Sequence, residues 1–252
     1  MTHPFRFSAS LGGLDTADLV TSAQRAEELG FNTVTLPDHF TDQPAPLIGL
    51  TAAAIATTTL RVLPLVLAND YREPMVLAKE LASIDALSGG RLEFGLGAGW
   101  MITDYEQAGI RYDSPGMRIR RLSESVDILR ALLAGDEVTI DSEFYSITGS
   151  LSAPLPVQAG GIPLMLAGGK QKMLTLAGEK ADIVGFNPGL TAGVIDERAG
   201  RTATAEKTDQ KLDWISDGAG TRLDSIELQT RIHLTMITDD RDKVAAELAP
   251  LL

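Results

Sequence analysis

Residues Ala78–Trp100 read AKELASIDALSGGRLEFGLGAGW, and this stretch decides the fold class. Its first part continues a helix that Pro74 opens and Ser88-Gly89-Gly90 ends, since proline suits the first helical turn and glycine the exit. Arg91–Gly97 then reads as a short strand running into Gly97-Ala98-Gly99. A helix closed by glycines and followed at once by a strand is the repeating unit of an α/β protein. Upstream, Phe5–Leu11 is β-prone and Gly12-Gly13 breaks it. Asp15 is placed to cap a helix through Leu29, with Leu19, Val20, Ala23, Ala26 and Leu29 at helical spacing and Gly30 as the stop. Thr33–Leu36 is the next strand, Leu47–Thr59 a helix rich in Ala and Thr, and Leu60–Ala68 an apolar run of strand length. Downstream, Arg118–Leu133 is amphipathic, Leu164–Ala167, Ile183–Phe186 and Ile232–Ile237 read as strands, and Ala203–Ile215 and Asp242–Leu248 as helices. Val138–Ile147 interrupts this rhythm as a hairpin insertion at 137–148.

Alternating strands and helices imply right-handed crossovers and a parallel sheet. At 252 residues the chain matches one (β/α)8 barrel, and residues 1–252 read as a single TIM-like barrel domain. Only seven strands are found, and the sequence ends at Leu252 near the seventh helix. The expectation is therefore a barrel without its last β/α unit, from a C-terminally truncated sequence. Such a barrel leaves strand edges and apolar core open, which predicts a homodimer that covers the gap.

Hydrophobic residues make up 44% of the chain and aromatic ones only 5%, so the core is mainly Leu, Ile, Val and Ala, as parallel strands buried on both faces require. A formal charge of -12 argues against a nucleic-acid partner, whose phosphates need clustered Lys and Arg. Cysteine is absent, so disulfides, thiolate metal sites and cysteine nucleophiles are excluded. MTHPFRFSASLGG lacks the basic start and apolar stretch of a signal peptide, and no apolar run approaches the roughly 20 residues that span a bilayer. These features predict a soluble cytoplasmic protein with no membrane partner.

Leu36-Pro37-Asp38-His39 ends the second strand, at the barrel mouth where polar residues face a ligand. An adjacent acid and imidazole can hold a polar ring edge and move a proton near neutral pH, while a helix-capping Asp beside a surface His fits the position equally. Gly95-Leu96-Gly97-Ala98-Gly99-Trp100 allows close backbone approach, by a ligand or by packing. Ala167-Gly168-Gly169-Lys170 follows a strand and opens a helix, a seat for phosphate built from free N–H groups, the helix dipole and a lysine. His3 and His233 form no metal-ligand spacing with His39, and no metal site is predicted.

Taken together, Pro37-Asp38-His39, Arg72-Glu73-Pro74 leading into Ala78–Trp100, RIRRLSESVDIL at Arg118–Leu129, PLMLAGGK at Pro163–Lys170 and Ala181-Asp182-Ile183-Val184 are similar to the luciferase-like monooxygenase superfamily, in the branch that uses coenzyme F420. That resemblance implies a luciferase-like barrel with an isoalloxazine-type ring across the strand ends. It assigns ring contacts to Asp38 and His39, with His39 the catalytic proton donor or acceptor. It also implies a ring-backing bulge at Leu65, Val66, Leu67 and Ala68, carrying a non-prolyl cis peptide near Leu65-Val66 or one residue later. Ala98, Gly99 and Trp100 would line the cofactor, and Ala167, Gly168, Gly169 and Lys170 would seat its phosphate. The anionic tail would lie near Lys170, Lys172, Arg118, Arg120 or Arg121. Trp100 stands where sugar-phosphate dehydrogenases of this branch carry a catalytic Glu, which argues against that substrate class and for a partly apolar small molecule. The expected activity is F420-dependent hydride transfer; the alternatives are an FMN-dependent monooxygenase and a non-catalytic cofactor-binding homologue.

Overall fold

A computed structural model describes residues 4–190, 193, 197–232 and 235–248. The elements run β1 (Ser8–Ser10), α1 (Leu19–Glu28), β2 (Thr33–Leu36), α2 (Pro46–Ala56), β3 (Arg61–Pro64), β4 (Leu67–Ala68), α3 (Pro74–Leu87), β5 (Phe94–Gly97), α4 (Ile102–Ala108) and α5 (Pro115–Ala134). There follow β6 (Val138–Asp141), β7 (Ser146–Ser150), β8 (Leu164–Gly168), α6 (Gln171–Lys180), β9 (Ile183–Phe186), α7 (Glu197–Gly200), α8 (Ala205–Ala219), β10 (Glu227–Gln229) and α9 (Arg241–Leu248). Among the described residues, no helix is long and apolar enough to cross a membrane.

The parallel strands form an arc. β1 pairs with β2 and β2 with β3; β4 pairs with β5, β5 with β8, β8 with β9, and β9 with β10. The third strand is shared between the two halves, because it breaks at a cis Leu65-Val66 peptide into β3 and β4, and a Val62–Leu92 bridge ties β3 to the start of β5. Side chains alternate across the sheet as the pleat demands. Val34, Val62, Leu164, Leu166 and Val184 join the large core beneath the helices, while Leu63, Met165 and Ile183 form a second cluster on the opposite side. The β6–β7 hairpin stands apart as an antiparallel pair.

Local sequence accounts for the helix ends. The chain at Asp15 makes a 3-10 turn over Thr16–Asp18, capped by the Asp15 carboxylate on the Ala17 N–H, before α1 begins. Ser114 and Pro115 start α5 three residues ahead of its amphipathic stretch, with the Ser114 hydroxyl accepting from Met117. Gly135 ends it in the left-handed conformation.

The seventh strand differs from expectation: it is Glu227–Gln229, not Ile232–Ile237. A 3-10 turn over Gly220–Ser225 delivers the chain from α8 directly to the free edge of β9, where Glu227, Leu228 and Gln229 pair with Ile183, Val184 and Gly185. Beyond it Ile232 and Ile237 are exposed, and His233 and Leu234, like His3, lie outside the described residues. No strand pairs β10 with β1 among the described residues. An ionic cluster links them instead: Arg6 reaches Glu227 at 2.9 Å and the buried Glu93 at 2.7 Å, and Arg61 takes the same Glu93 oxygen at 2.7 Å.

Glu27 on α1 fixes the turn that feeds β3. Its carboxylate accepts the N–H groups of Thr59 (2.6 Å), Thr58 (2.9 Å) and Leu60 (3.0 Å) together with the Thr59 hydroxyl (2.9 Å). These bonds, that from Thr59 foremost, outweigh the cost of burial and hold the carboxyl down to about 2. A group depressed in the folded state contributes stability above the ordinary carboxylate range and loses it as pH falls toward its folded value. Glu27→Gln is therefore expected to lower the urea midpoint at pH 7, with the deficit shrinking as the pH is brought down toward 2; denaturation at a series of pH values checks it.

Candidate functional site

The C-terminal ends of β2, β4, β5 and β8 surround a cavity of about 900 Å³. Asp38, His39, Leu65, Val66, Leu67, Ala68, Ala98, Gly99, Trp100, Ala167, Gly168, Gly169 and Lys170 all line it. Leu65–Ala68 contribute four consecutive residues to one wall, which an unbroken strand, alternating sides, would not do.

The glycines of Gly95-Leu96-Gly97-Ala98-Gly99 are explained by packing. A Cβ on Gly95 would stand 2.4 Å from the Pro64 carbonyl oxygen and 2.7 Å from one Val66 methyl; a Cβ on Gly97 would stand 2.8 Å from the other. Gly99 has φ +73°, and a Cβ there would lie 1.8 Å from the Tyr105 hydroxyl. Each glycine thus admits a specific neighbour: the first two receive the bulged third strand, the last a buried tyrosine. Gly169 is equally confined, with the Pro188 and Asn187 carbonyl oxygens at 2.4 and 2.7 Å from a Cβ.

Asp38 is fully engaged. One carboxylate oxygen accepts the Ala68 N–H at 2.9 Å and Arg72 Nη1 at 2.6 Å, and the other accepts Arg72 Nη2 at 3.1 Å. The acid therefore clamps β4 to β2, and its neighbour His39 is left to face the cavity. His39 Nδ1 lies 2.7 Å from Asp104 Oδ2, and the Trp100 ring meets the imidazole edge-on with centroids 5.5 Å apart. Burial and the charges of Asp104 and Asp38 push the Tyr71 hydroxyl upward; burial and Asp70 do the same for Tyr105, so both stay neutral donors.

Arg118, on α5, lines the cavity from below Ala98 and Gly99. Its guanidinium donates to the Ala98 carbonyl at 3.1 Å, the Gly99 carbonyl at 3.4 Å and the Asp113 carbonyl, and stacks over the Tyr112 ring at 4.0 Å. Its hydrogen-bond partners among the described residues are backbone carbonyls and the Tyr112 phenol. Arg120 and Arg121 differ: Arg120 pairs with Glu143 outside the cavity, and Arg121 with Asp70 and Asp113. Neither of them, nor Lys172 on α6, lines the cavity. Lys170 and Arg231 do reach it. Lys170 is also the residue preceding α6, with no side chain capping the helix, so the first-turn N–H groups face outward from Gly169-Lys170.

A model of the luciferase-like monooxygenase family matches residues 1–251. The chain belongs to that family. Among relatives of this luciferase-like protein, the 5,10-methylenetetrahydromethanopterin reductase of Archaeoglobus fulgidus is 33% identical over 162 residues, covering 64% of this chain and 46% of the reductase. The F420-dependent glucose-6-phosphate dehydrogenase of Nocardia farcinica is 29% identical over 246 residues, covering 92% of this chain and 69% of the dehydrogenase. The coenzyme F420-dependent tetrahydromethanopterin reductase structure from Methanopyrus kandleri superposes with a TM-score of 0.79 at 22% identity, covering 96% of this chain and 69% of that one, and shares the fold. The matches span about half the length of the first relatives, 46%, 54% and 48%.

Sequence reasoning assigned no role to Asp104, Tyr71 or Arg231 in this luciferase-like site, and named Arg118 only as one of several cations near an anionic tail. Asp104 sits in the short helix α4, which sequence periodicity did not reveal, and 65 residues separate it from His39. If Val66 dictates the glycine at position 97, Gly97→Ala should cost about 1–3 kcal/mol through overpacking, and adding Val66→Ala should recover part of the loss. Chemical denaturation of the two single variants and the double variant measures that coupling.

Proposed function

We propose that this chain is a coenzyme F420-dependent oxidoreductase acting on a small, partly apolar organic molecule in the cytoplasm, with residues 1–252 serving as one barrel domain. The observation that carries the reading is the convergence of four strand ends on one large cavity, in a chain whose relatives include an F420-dependent dehydrogenase. The residues present fit such a group. Leu65–Ala68 and Ala98-Gly99 offer an apolar wall of ring size, and Gly168-Gly169 with the start of α6 and Lys170 offers a seat for phosphate. Arg118 and Lys170 on the cavity wall favour an anionic ligand even though the chain carries a net -12.

When bound, F420 supplies a two-electron hydride donor or acceptor at C5 of its deazaflavin ring. His39 takes up or returns the proton that accompanies the hydride. Asp38 holds Ala68 and Arg72 and keeps the ring wall in place. Trp100, Met101 and Ile119 make the substrate side apolar and keep water out. Trp100 in place of a carboxylate supports a substrate other than a sugar phosphate.

Fluorescence titration of the purified protein with F420 and with FMN tests the cofactor. Saturable F420 binding is expected; tight FMN binding without F420 binding would instead mean a flavin monooxygenase, and binding of neither a non-catalytic homologue. His39→Ala should bind F420 as the parent does while turnover falls on the order of 100-fold.

The open side of the arc supports a homodimer. Phe7, Leu228 and Ile232 are exposed beside β1 and β10, where a second copy would cover them. Sedimentation at micromolar concentration should give twice the chain mass, and Leu228→Glu should shift it toward monomer; a monomeric parent sinks this assignment.

A further inference from the structure

His39 leaves β2 and Asp104 lies in α4, yet their side chains meet: Nδ1 and Oδ2 are 2.7 Å apart, and the Asp104 side chain is 3% exposed. An ionised carboxylate can only accept a hydrogen bond, so the contact requires the proton on Nδ1. The nitrogen left for the cavity is then Nε2. We propose that Asp104 is a positioning residue that fixes His39 as the Nδ1–H tautomer and so presents a proton-accepting Nε2 to the bound reactants. The proposal rests on the reading of His39 as the group that moves the proton.

Three features of the surroundings carry it. The Phe40 N–H also approaches Asp104, at 3.4 Å to Oδ1, so one carboxylate spans the imidazole and the backbone that follows it. The edge-on Trp100 ring, 87° to the imidazole plane, braces the other side of His39. The remaining charged groups nearby have other partners. Asp38 is taken by Arg72 and the Ala68 N–H, Asp70 by Arg121 and the Tyr105 hydroxyl, and Arg118 by backbone carbonyls. Tyr71, pushed up by burial and by Asp104 and Asp38, stays protonated. Asp104 is thus the carboxylate directed at the imidazole. Its partner's tautomer matters because a neutral histidine with its proton on Nε2 would point a donor, not an acceptor, at the site.

Nitrogen-15 spectra of the ligand-free protein read the tautomer directly, with His39 assigned among the three histidines by His39→Gln. The parent should show Nδ1–H. Asp104→Asn is nearly isosteric, but its amide can donate to Nδ1, so His39 should switch to Nε2–H. In turnover with F420, kcat should fall on the order of 100-fold while KM and cofactor affinity stay within about twofold. Asp104→Glu should keep the Nδ1–H tautomer and recover part of kcat. An Nε2–H parent, an unchanged tautomer in Asp104→Asn, or a switched tautomer with unchanged kcat would each overturn the proposal. The parent spectrum decides even if the asparagine variant does not fold. Because the spectra need no cofactor, a protein that failed to bind F420 would refute the oxidoreductase reading and leave the tautomer result standing.

Discussion

The two methyl groups of Val66 sit where Cβ atoms would otherwise stand on Gly95 and Gly97, and the rest of the site depends on that contact. A parallel strand normally turns alternate residues toward opposite faces. Here the third strand breaks after Pro64, resumes at Leu67, and brings Leu65 through Ala68 to the cavity in succession. The displaced backbone needs room, and the neighbouring strand gives it by having no side chains at the two positions that face it. Without the break the cavity loses its apolar wall; without the glycines the break has nowhere to go.

Charge is organised around the same wall. The chain is strongly acidic, yet the carboxylates nearest the cavity are committed: Asp38 to Arg72 and the Ala68 amide, Asp104 to His39, Asp70 to Arg121 and Tyr105. Arg118 is tied to carbonyl oxygens beside the ring wall. A long-range negative field and a locally positive cavity coexist because pairing distances of about 3 Å decide local potential, whereas the surface acids are screened over roughly 10 Å.

The alternation of helix and strand was legible because each amphipathic helix and apolar strand carries its own period and its own glycine or proline stop. The strand ends at Asp38, Ala98 and Gly168 were legible because a barrel places every such end at one mouth, whereas the wall at Leu65–Ala68 was implied only by the family resemblance. The last strand was misjudged because Ile232–Ile237 has the stronger apolar pattern. Pairing is settled instead by which residues the turn after α8 delivers to β9, and those are Glu227–Gln229.

The sequence by itself determined the alternation of helix and strand, the parallel arc and several of the strand ends at its mouth, since these follow from local periodicity and chain connectivity. Only the tertiary structure decided what those residues do to one another. That the GLGAG glycines receive Val66 and Tyr105, that Asp38 clamps β4 to β2, and that His39 is held by Asp104 from 65 residues away are all contacts across strands and helices. No local pattern encodes such contacts, because they arise from close packing between segments distant in the chain.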